Sequence, residues 1–327
     1  MPNYNDETQA MTSFAFIFPG QGSQSVGMLD AWRRGGDELH PAVRSTLAEA
    51  SEALGYDMAA LIGQGPKEQL DLTVQTQPAM LAADIACYRA WLAEGGREPS
   101  VVAGHSLGEY AALVAAGVLT LSDALPLVRF RAEAMQEAVP AGQGGMAAIL
   151  GLDAESVRTG CAEAAAAVGE PVEAVNFNDP KQIVIAGTRA AVDKACEVLK
   201  GKGAKRALPL SVSAPFHSSL MKPAAERLKV KLAGTAFKAP RIDVVNNIDV
   251  KIESTPDAIR DALYRQAFGP VRWVESVQAI AARGVTHVVE CGPGKALSGM
   301  VKRIDGALVV GSLSDPAGLA EVKGMSA

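Results

Sequence analysis

The chain is poor in the residues that build disulfide frameworks and metal centres. Cysteine occurs four times in 327 residues, at Cys87, Cys161, Cys196 and Cys291, far apart and with no CxxC pair. Histidine also occurs four times. A zinc site needs clustered ligands, so no metal is expected, and the four thiols read as buried and reduced. A chain this long can bury roughly three quarters of its unfolded surface and needs no such staple. An excess of positive charge is missing too: 31 Lys and Arg stand against 36 Asp and Glu, a formal net charge of −5. That balance argues against a nucleic-acid binder. No apolar run near the motifs approaches the ~20 residues of a bilayer span; residues 111–121 are the longest. The start, MPNYNDETQAMTS, has no Lys or Arg and no apolar core, so it does not read as a signal peptide. The expectation is a mobile tail over residues 1–12 on a soluble, cytoplasmic, monomeric protein.

What is present is a globular mixture, 48% apolar and 20% charged. Residues 13–18 (SFAFIF) read as a buried strand ending at Pro19-Gly20, and residues 99–103 (PSVVA) as a second. A helix is expected from Gln77 to Trp91 with Pro78 in its first turn, and another over residues 109–119. Between Gly145 and Leu210 the order of elements is β-α-β-β-α-β, with Asp153 or Ala154 near one helix cap and Asp179-Pro180-Lys181 as the turn between two strands. That order is the one of a ferredoxin-like unit. The predicted fold is therefore α/β: a large domain, residues 13–139 and 212–327, with a mainly parallel sheet, and a small domain inserted at 140–211. Ligands of parallel sheets bind beyond the carboxyl ends of the strands. Three loops are expected there: 19–24, 104–108 and 292–294.

The strongest local signal is Gly104-His105-Ser106-Leu107-Gly108, a G-x-S-x-G between a strand and a helix. Such a turn lifts Ser106 out of the sheet and sets the Leu107 amide where an oxyanion would develop. A serine nucleophile needs a base. His105 is its sequence neighbour and should diverge from it, His287 reads as a strand residue, and His40 precedes Pro41. By elimination His217, in SAPFHSS, is the best base. No acid follows in a recognisable triad order, so a carbonyl would orient the imidazole, giving a Ser–His dyad. The loop PGQGSQ misses both phosphate-binding patterns and fits better as a source of oxyanion-hole donors. In the helical segment SDALPLVRFRAEAMQEAV, Arg129 and Arg131 flank the apolar stripe on opposite sides. Periodicity does not choose between them.

Taken together, FIFPGQGSQ, QPAM, GHSLGEYAAL, the arginine helix, VNFNDP, SAPFHSSLM, VVNNIDV, RQAFGPVRW and ECGPGKAL resemble the malonyl-CoA:acyl carrier protein transacylases of bacterial type II fatty acid synthesis. The resemblance runs in order over residues 13–313. It implies a hydrolase-like α/β domain with a ferredoxin-like insert. It also implies a ping-pong acyltransferase that carries malonyl from malonyl-CoA through Ser106 to the phosphopantetheine thiol of acyl carrier protein, with no bound cofactor. By the same match His217 is the general base, Arg131 binds the malonyl carboxylate, and Gln21 with the Leu107 amide forms the oxyanion hole. Gln266 orients His217 through its backbone carbonyl. His105, Met135 and Phe216 line the acyl pocket, and Asn176 lies near the coenzyme A channel. The carrier partner is expected to be acidic and transient, facing Lys200, Lys202, Lys205 and Arg206 or Lys222, Arg227, Lys229 and Lys231. A serine hydrolase or thioesterase is the competing reading, and a noncatalytic acyl-binding protein a more distant one.

Overall fold

The computed structural model describes residues 13–34, 38–212 and 214–326; the expected N-terminal tail lies outside them. The strands are β1 (Phe14–Phe18), β2 (Arg33–Arg34), β3 (Glu38–Leu39), β4 (Val101–Gly104), β5 (Gly144–Leu150) and β6 (Val172–Asp179). They continue with β7 (Gln182–Thr188), β8 (Arg206–Pro209), β9 (Asp243–Val245), β10 (His287–Cys291) and β11 (Val309–Leu313). The helices begin with α1 (Pro41–Leu54), α2 (Met58–Gln64), α3 (Lys67–Leu70), α4 (Thr73–Ala93), α5 (Gly108–Ala115), α6 (Leu121–Glu137) and α7 (Ala154–Val168). They end with α8 (Arg189–Gly201), α9 (Lys222–Ala233), α10 (Pro256–Gln266), α11 (Trp273–Ala281), α12 (Ala296–Ile304) and α13 (Pro316–Ser326). No helix among the described residues is long and apolar enough to cross a membrane.

The central sheet has the order β11-β10-β1-β4-β9 and every pairing in it is parallel. Helices cover both faces, so β1 reads FAFIF without alternation and all five residues are buried. The second sheet, β6-β7-β5-β8, is antiparallel throughout. It carries α7 and α8 over a separate apolar cluster that includes Ile149, Val157, Ile185 and Leu199. The chain order β5-α7-β6-β7-α8-β8 is the expected ferredoxin-like order, and it falls inside residues 140–211. Local chemistry sets these boundaries. The Asp153 carboxylate caps α7 by accepting from Ser156 N, the Thr188 hydroxyl caps α8, and Gly169 closes α7 at φ 77°. The antiparallel sheet is tied to the large domain by a short bridge to the segment before α11, in which Phe177 N donates to Val271 O and Val271 N to Val175 O. Arg303 Nε also reaches the buried Asp179 carboxylate at 2.6 Å.

Two helix expectations change. The helix expected to open at Gln77 starts at Thr73, so Pro78 lies inside α4 rather than in its first turn. Most of α4 is buried, and that packing outweighs the one backbone bond Pro78 cannot make. The helix expected over 109–119 ends at Ala115, because Gly117 takes φ 74° and turns the chain back.

Parallel order brings the carboxyl ends of β1, β4 and β10 to one edge. The turn after β4 is so tight that its glycines are steric necessities. A Cβ on Gly104 would lie 1.9 Å from the Gly108 carbonyl, and one on Gly108 would lie 2.1 Å from Phe18 O. We predict that Gly104→Ala lowers the unfolding free energy by about 2–4 kcal/mol, since backbone must move to admit the methyl. Gly201→Ala, at a helix position where a Cβ meets nothing within 4 Å, should be neutral or stabilising. Urea midpoints of the two variants check this; equal midpoints would refute it.

Candidate active site

A cavity of about 120 Å³ opens where the parallel sheet meets the antiparallel one. Its walls include Gln21, His105, Ser106, Leu107, Arg131, Asn176, Phe216 and His217, all expected from the sequence. Gln77, Met146, Val184, Leu210 and Val212 complete it. Met135 is not among the lining residues: one turn beyond Arg131 on α6, it is buried in the main core. Met146 of β5 lines the cavity.

Ser106 sits in the turn at φ 53°, left-handed backbone that a side-chain-bearing residue seldom takes. Asn247, just past β9, braces that turn: its Oδ1 accepts from Ser106 N at 2.7 Å and its Nδ2 donates to Gly104 O at 2.7 Å. The Ser106 hydroxyl donates to His217 Nε2 at 2.6 Å. His217 Nδ1–H donates to the backbone carbonyl of Gln266 at 2.9 Å. That second bond fixes the proton on Nδ1 and leaves Nε2 as the acceptor. Burial, and then the Arg131 charge, push the His217 pKa down to about 3, so the ring is neutral at ordinary pH. His105 diverges as expected. Its Nε2 meets Asn178 Oδ1 at 2.8 Å, its ring packs edge-on to Trp273, and burial lowers its pKa.

The ambiguity between the arginines is resolved by burial. Arg129 is exposed and pairs with Glu133 at 3.1 Å, whereas Arg131 is 2% exposed. Arg131 Nη1 donates to Gln77 Oε1 at 2.8 Å, and Nη2 donates to Gln266 Oε1 at 3.2 Å and Ser106 Oγ at 3.3 Å. The guanidinium lies over the Tyr110 ring at 5.6 Å. Its buried Nε has no hydrogen-bond partner among the described residues. A buried cation held by neutral amides, with a spare donor, is suited to an anionic ligand beside Ser106.

Gln21 comes from the loop after β1, where Gly20 lets the chain press against the turn: a Cβ there would lie 2.7 Å from His105 O. The Gln21 side chain donates to Thr73 Oγ1 at 3.2 Å. Leu107 stands at the N-cap of α5, where backbone amides point outward. Asn176, on β6, has a buried Oδ1 with no partner among the described residues. The loop 292–294 does not line the cavity; Gly294 lies against Ser23 and supports the loop after β1. Three functional-looking residues escaped the sequence reading: Gln77, Asn247 and Glu109. Each stood inside a quoted segment, but none is marked by type or spacing.

The chain is similar to known acyltransferases over most of its length. The family described as acyl transferase domain matches residues 15–304. The malonyl CoA-acyl carrier protein transacylase of Escherichia coli K12 is 55% identical over 310 residues, covering 95% of this chain and 98% of the relative. The crystal structure of an acyl-carrier-protein S-malonyltransferase from Burkholderia pseudomallei 1710b superposes with a TM-score of 0.92 at 65% identity, covering 95% of this chain and 99% of that one. A solved complex of a type II PKS acyl-carrier protein with its malonyl-transacylase matches at 52% identity and a TM-score of 0.91, over 94% of this chain and 98% of that one. The chain belongs to the acyl transferase family and, within it, to the malonyl CoA-acyl carrier protein transacylases.

Proposed function

We propose that this acyltransferase moves a malonyl group from malonyl-CoA to the phosphopantetheine thiol of an acyl carrier protein through a malonyl ester on Ser106. The observation that carries the reading is His217 Nε2 at 2.6 Å from Ser106 Oγ, with the buried Arg131 guanidinium at 3.3 Å from the same oxygen. His217 Nε2 takes the hydroxyl proton as Oγ attacks the thioester carbonyl. The developing oxyanion is met by the Leu107 and Gln21 amides; losing one such donor typically costs about 10²–10³ in rate. The tetrahedral intermediate collapses, and the coenzyme A sulfur leaves with the proton that His217 returns. The carrier thiol then repeats the steps in reverse, with His217 now taking the thiol proton. The malonyl carboxylate pairs with Arg131 throughout, so the cation is partnered only when the acyl group carries a charge.

The carrier docks beside the cavity mouth through acidic groups. Lys200, Lys202, Lys205 and Arg206 around the end of α8, and Lys222, Arg227, Lys229 and Lys231 along α9, are all exposed. One of these clusters steers it.

Three outcomes are expected. Brief mixing with malonyl-CoA should add one malonyl mass to the intact chain, discharged by carrier thiol and absent in Ser106→Ala; free coenzyme A without an adduct would point to hydrolysis instead. Arg131→Ala should reduce the ratio of kcat/KM for malonyl-CoA to that for acetyl-CoA by about 10⁴, the scale on which a site built around one polar partner rejects analogues lacking it. An unchanged ratio would remove Arg131 from recognition. Charge reversal of the docking cluster should raise the carrier KM at low salt without altering acylation by malonyl-CoA. If reversing both clusters leaves that KM alone, the carrier docks elsewhere.

A further inference from the structure

We propose that Glu109 is a positioning residue of the transfer reaction: its carboxylate fixes the Gln266 amide, and through it holds the Arg131 guanidinium and the Ser106 backbone in register for a malonyl group. The inference rests on the function proposed above.

Glu109 is the first acidic residue of α5, three positions after Ser106, and is 2% exposed. Its Oε2 accepts two hydrogen bonds, from Gln266 Nε2 at 3.0 Å and from Asn247 N at 2.9 Å. The other hydrogen of the Gln266 amide goes to Ser106 O at 2.9 Å. Both hydrogens of Nε2 are thereby spent on acceptors, which turns Oε1 toward Arg131 Nη2 at 3.2 Å. An amide turned over would set a donor against the guanidinium and an acceptor against two acceptors. An ionised carboxylate, which can only accept, forbids that flip. The same Gln266 gives its backbone carbonyl to His217 Nδ1, and the same Asn247 braces Gly104 and Ser106. One carboxylate therefore gathers the two residues that hold the nucleophile, the base and the carboxylate-binding arginine.

Glu109 is also poised to titrate. Burial raises its pKa to about 7, against the hydrogen bonds from Asn247 and Gln266 and the charge of Arg131. The groups that face it are Arg131 from α6, Tyr110 from its own helix, Asp249 beyond β9, and Glu253, which lines a small cavity beside it. In that cavity α10 presents Ile259 and Ala262, neither charged. Below about pH 7 the carboxyl gains a proton and becomes a weaker, ambiguous anchor, so malonyl transfer to Ser106 should fall as pH drops through that range. His217, at about 3, contributes no limb there.

The test is rapid-mixing acylation of Ser106, read by intact mass, with malonyl-CoA and acetyl-CoA from about pH 5.5 to about pH 8.5. Wild type should show a limb near pH 7 for malonyl. Glu109→Gln keeps the shape and removes the charge. It should slow malonyl acylation by about tenfold or more at the alkaline end, slow acetyl acylation less because acetyl does not use Arg131, and lose the limb. Equal slowing of both acyl groups with the limb retained would overturn the proposal, as would unchanged rates. Should the variant fail to fold, a wild-type malonyl profile flat across the range overturns it on its own. A wild type that forms no malonyl adduct at any pH removes the underlying function, which is a separate and distinguishable failure.

Discussion

The site is organised around an almost fully buried cation. Taking the Arg131 guanidinium out of solvent carries a penalty of several kcal/mol unless its hydrogen bonds are replaced. Gln77 and Gln266 replace two of them with neutral oxygens, and the Tyr110 ring lies under the charge. Amides and a ring hold the guanidinium without neutralising it, and its Nε keeps a spare donor. Burial tends to lower its pKa, and the nearby Glu109 and Tyr110 hold it up. The same charge helps keep His217 neutral, so the feature that would select a charged acyl group also prepares the base.

A second constraint is backbone. Ser106 and His217 both take positive φ, at 53° and 64°, and neither is glycine. Such conformations cost of order 1–3 kcal/mol each and persist only when their surroundings over-determine them. Here Asn247 clamps the Ser106 turn from β9, and Gln266 holds the His217 ring from the end of α10. Gly20, Gly104 and Gly108 let the loop after β1 and the turn after β4 come into contact. The geometry of the site is thus a property of strand ends packed edge to edge, where the close backbone approaches leave no room for a Cβ.

The antiparallel sheet is more than an appendage to that arrangement. Met146 of β5, Asn176 of β6 and Val184 of β7 form one wall of the cavity, and the ladder between Val175, Phe177 and Val271 joins β6 to the segment before α11.

Much of this was legible from residues alone. Short apolar runs, a cap near Asp153 and the turn Asp179-Pro180-Lys181 are local signals, read within a few residues, and the order β-α-β-β-α-β followed from them. The serine turn was legible because its glycines, strand and helix lie together in the chain. His217 was reached by elimination among four histidines, and the family resemblance assigned Arg131. Other features were decided only by the fold. Periodicity put Arg129 and Arg131 on equal terms; in the fold Arg131 is buried against Gln77 of α4, Tyr110 of α5 and Gln266 of α10, while Arg129 is left exposed. Pro78 looked like a helix opener until the burial of α4 carried the helix four residues further back. Met135 sits in the core instead of the cavity wall, a difference of orientation on one helix turn. Gln77, Asn247 and Glu109 gave no local sign of a role, because hydrogen bonds between residues 54 to 157 positions apart are written in no local pattern. They exist only when packing brings α4, the end of β9 and the end of α10 to the turn after β4 and to α6.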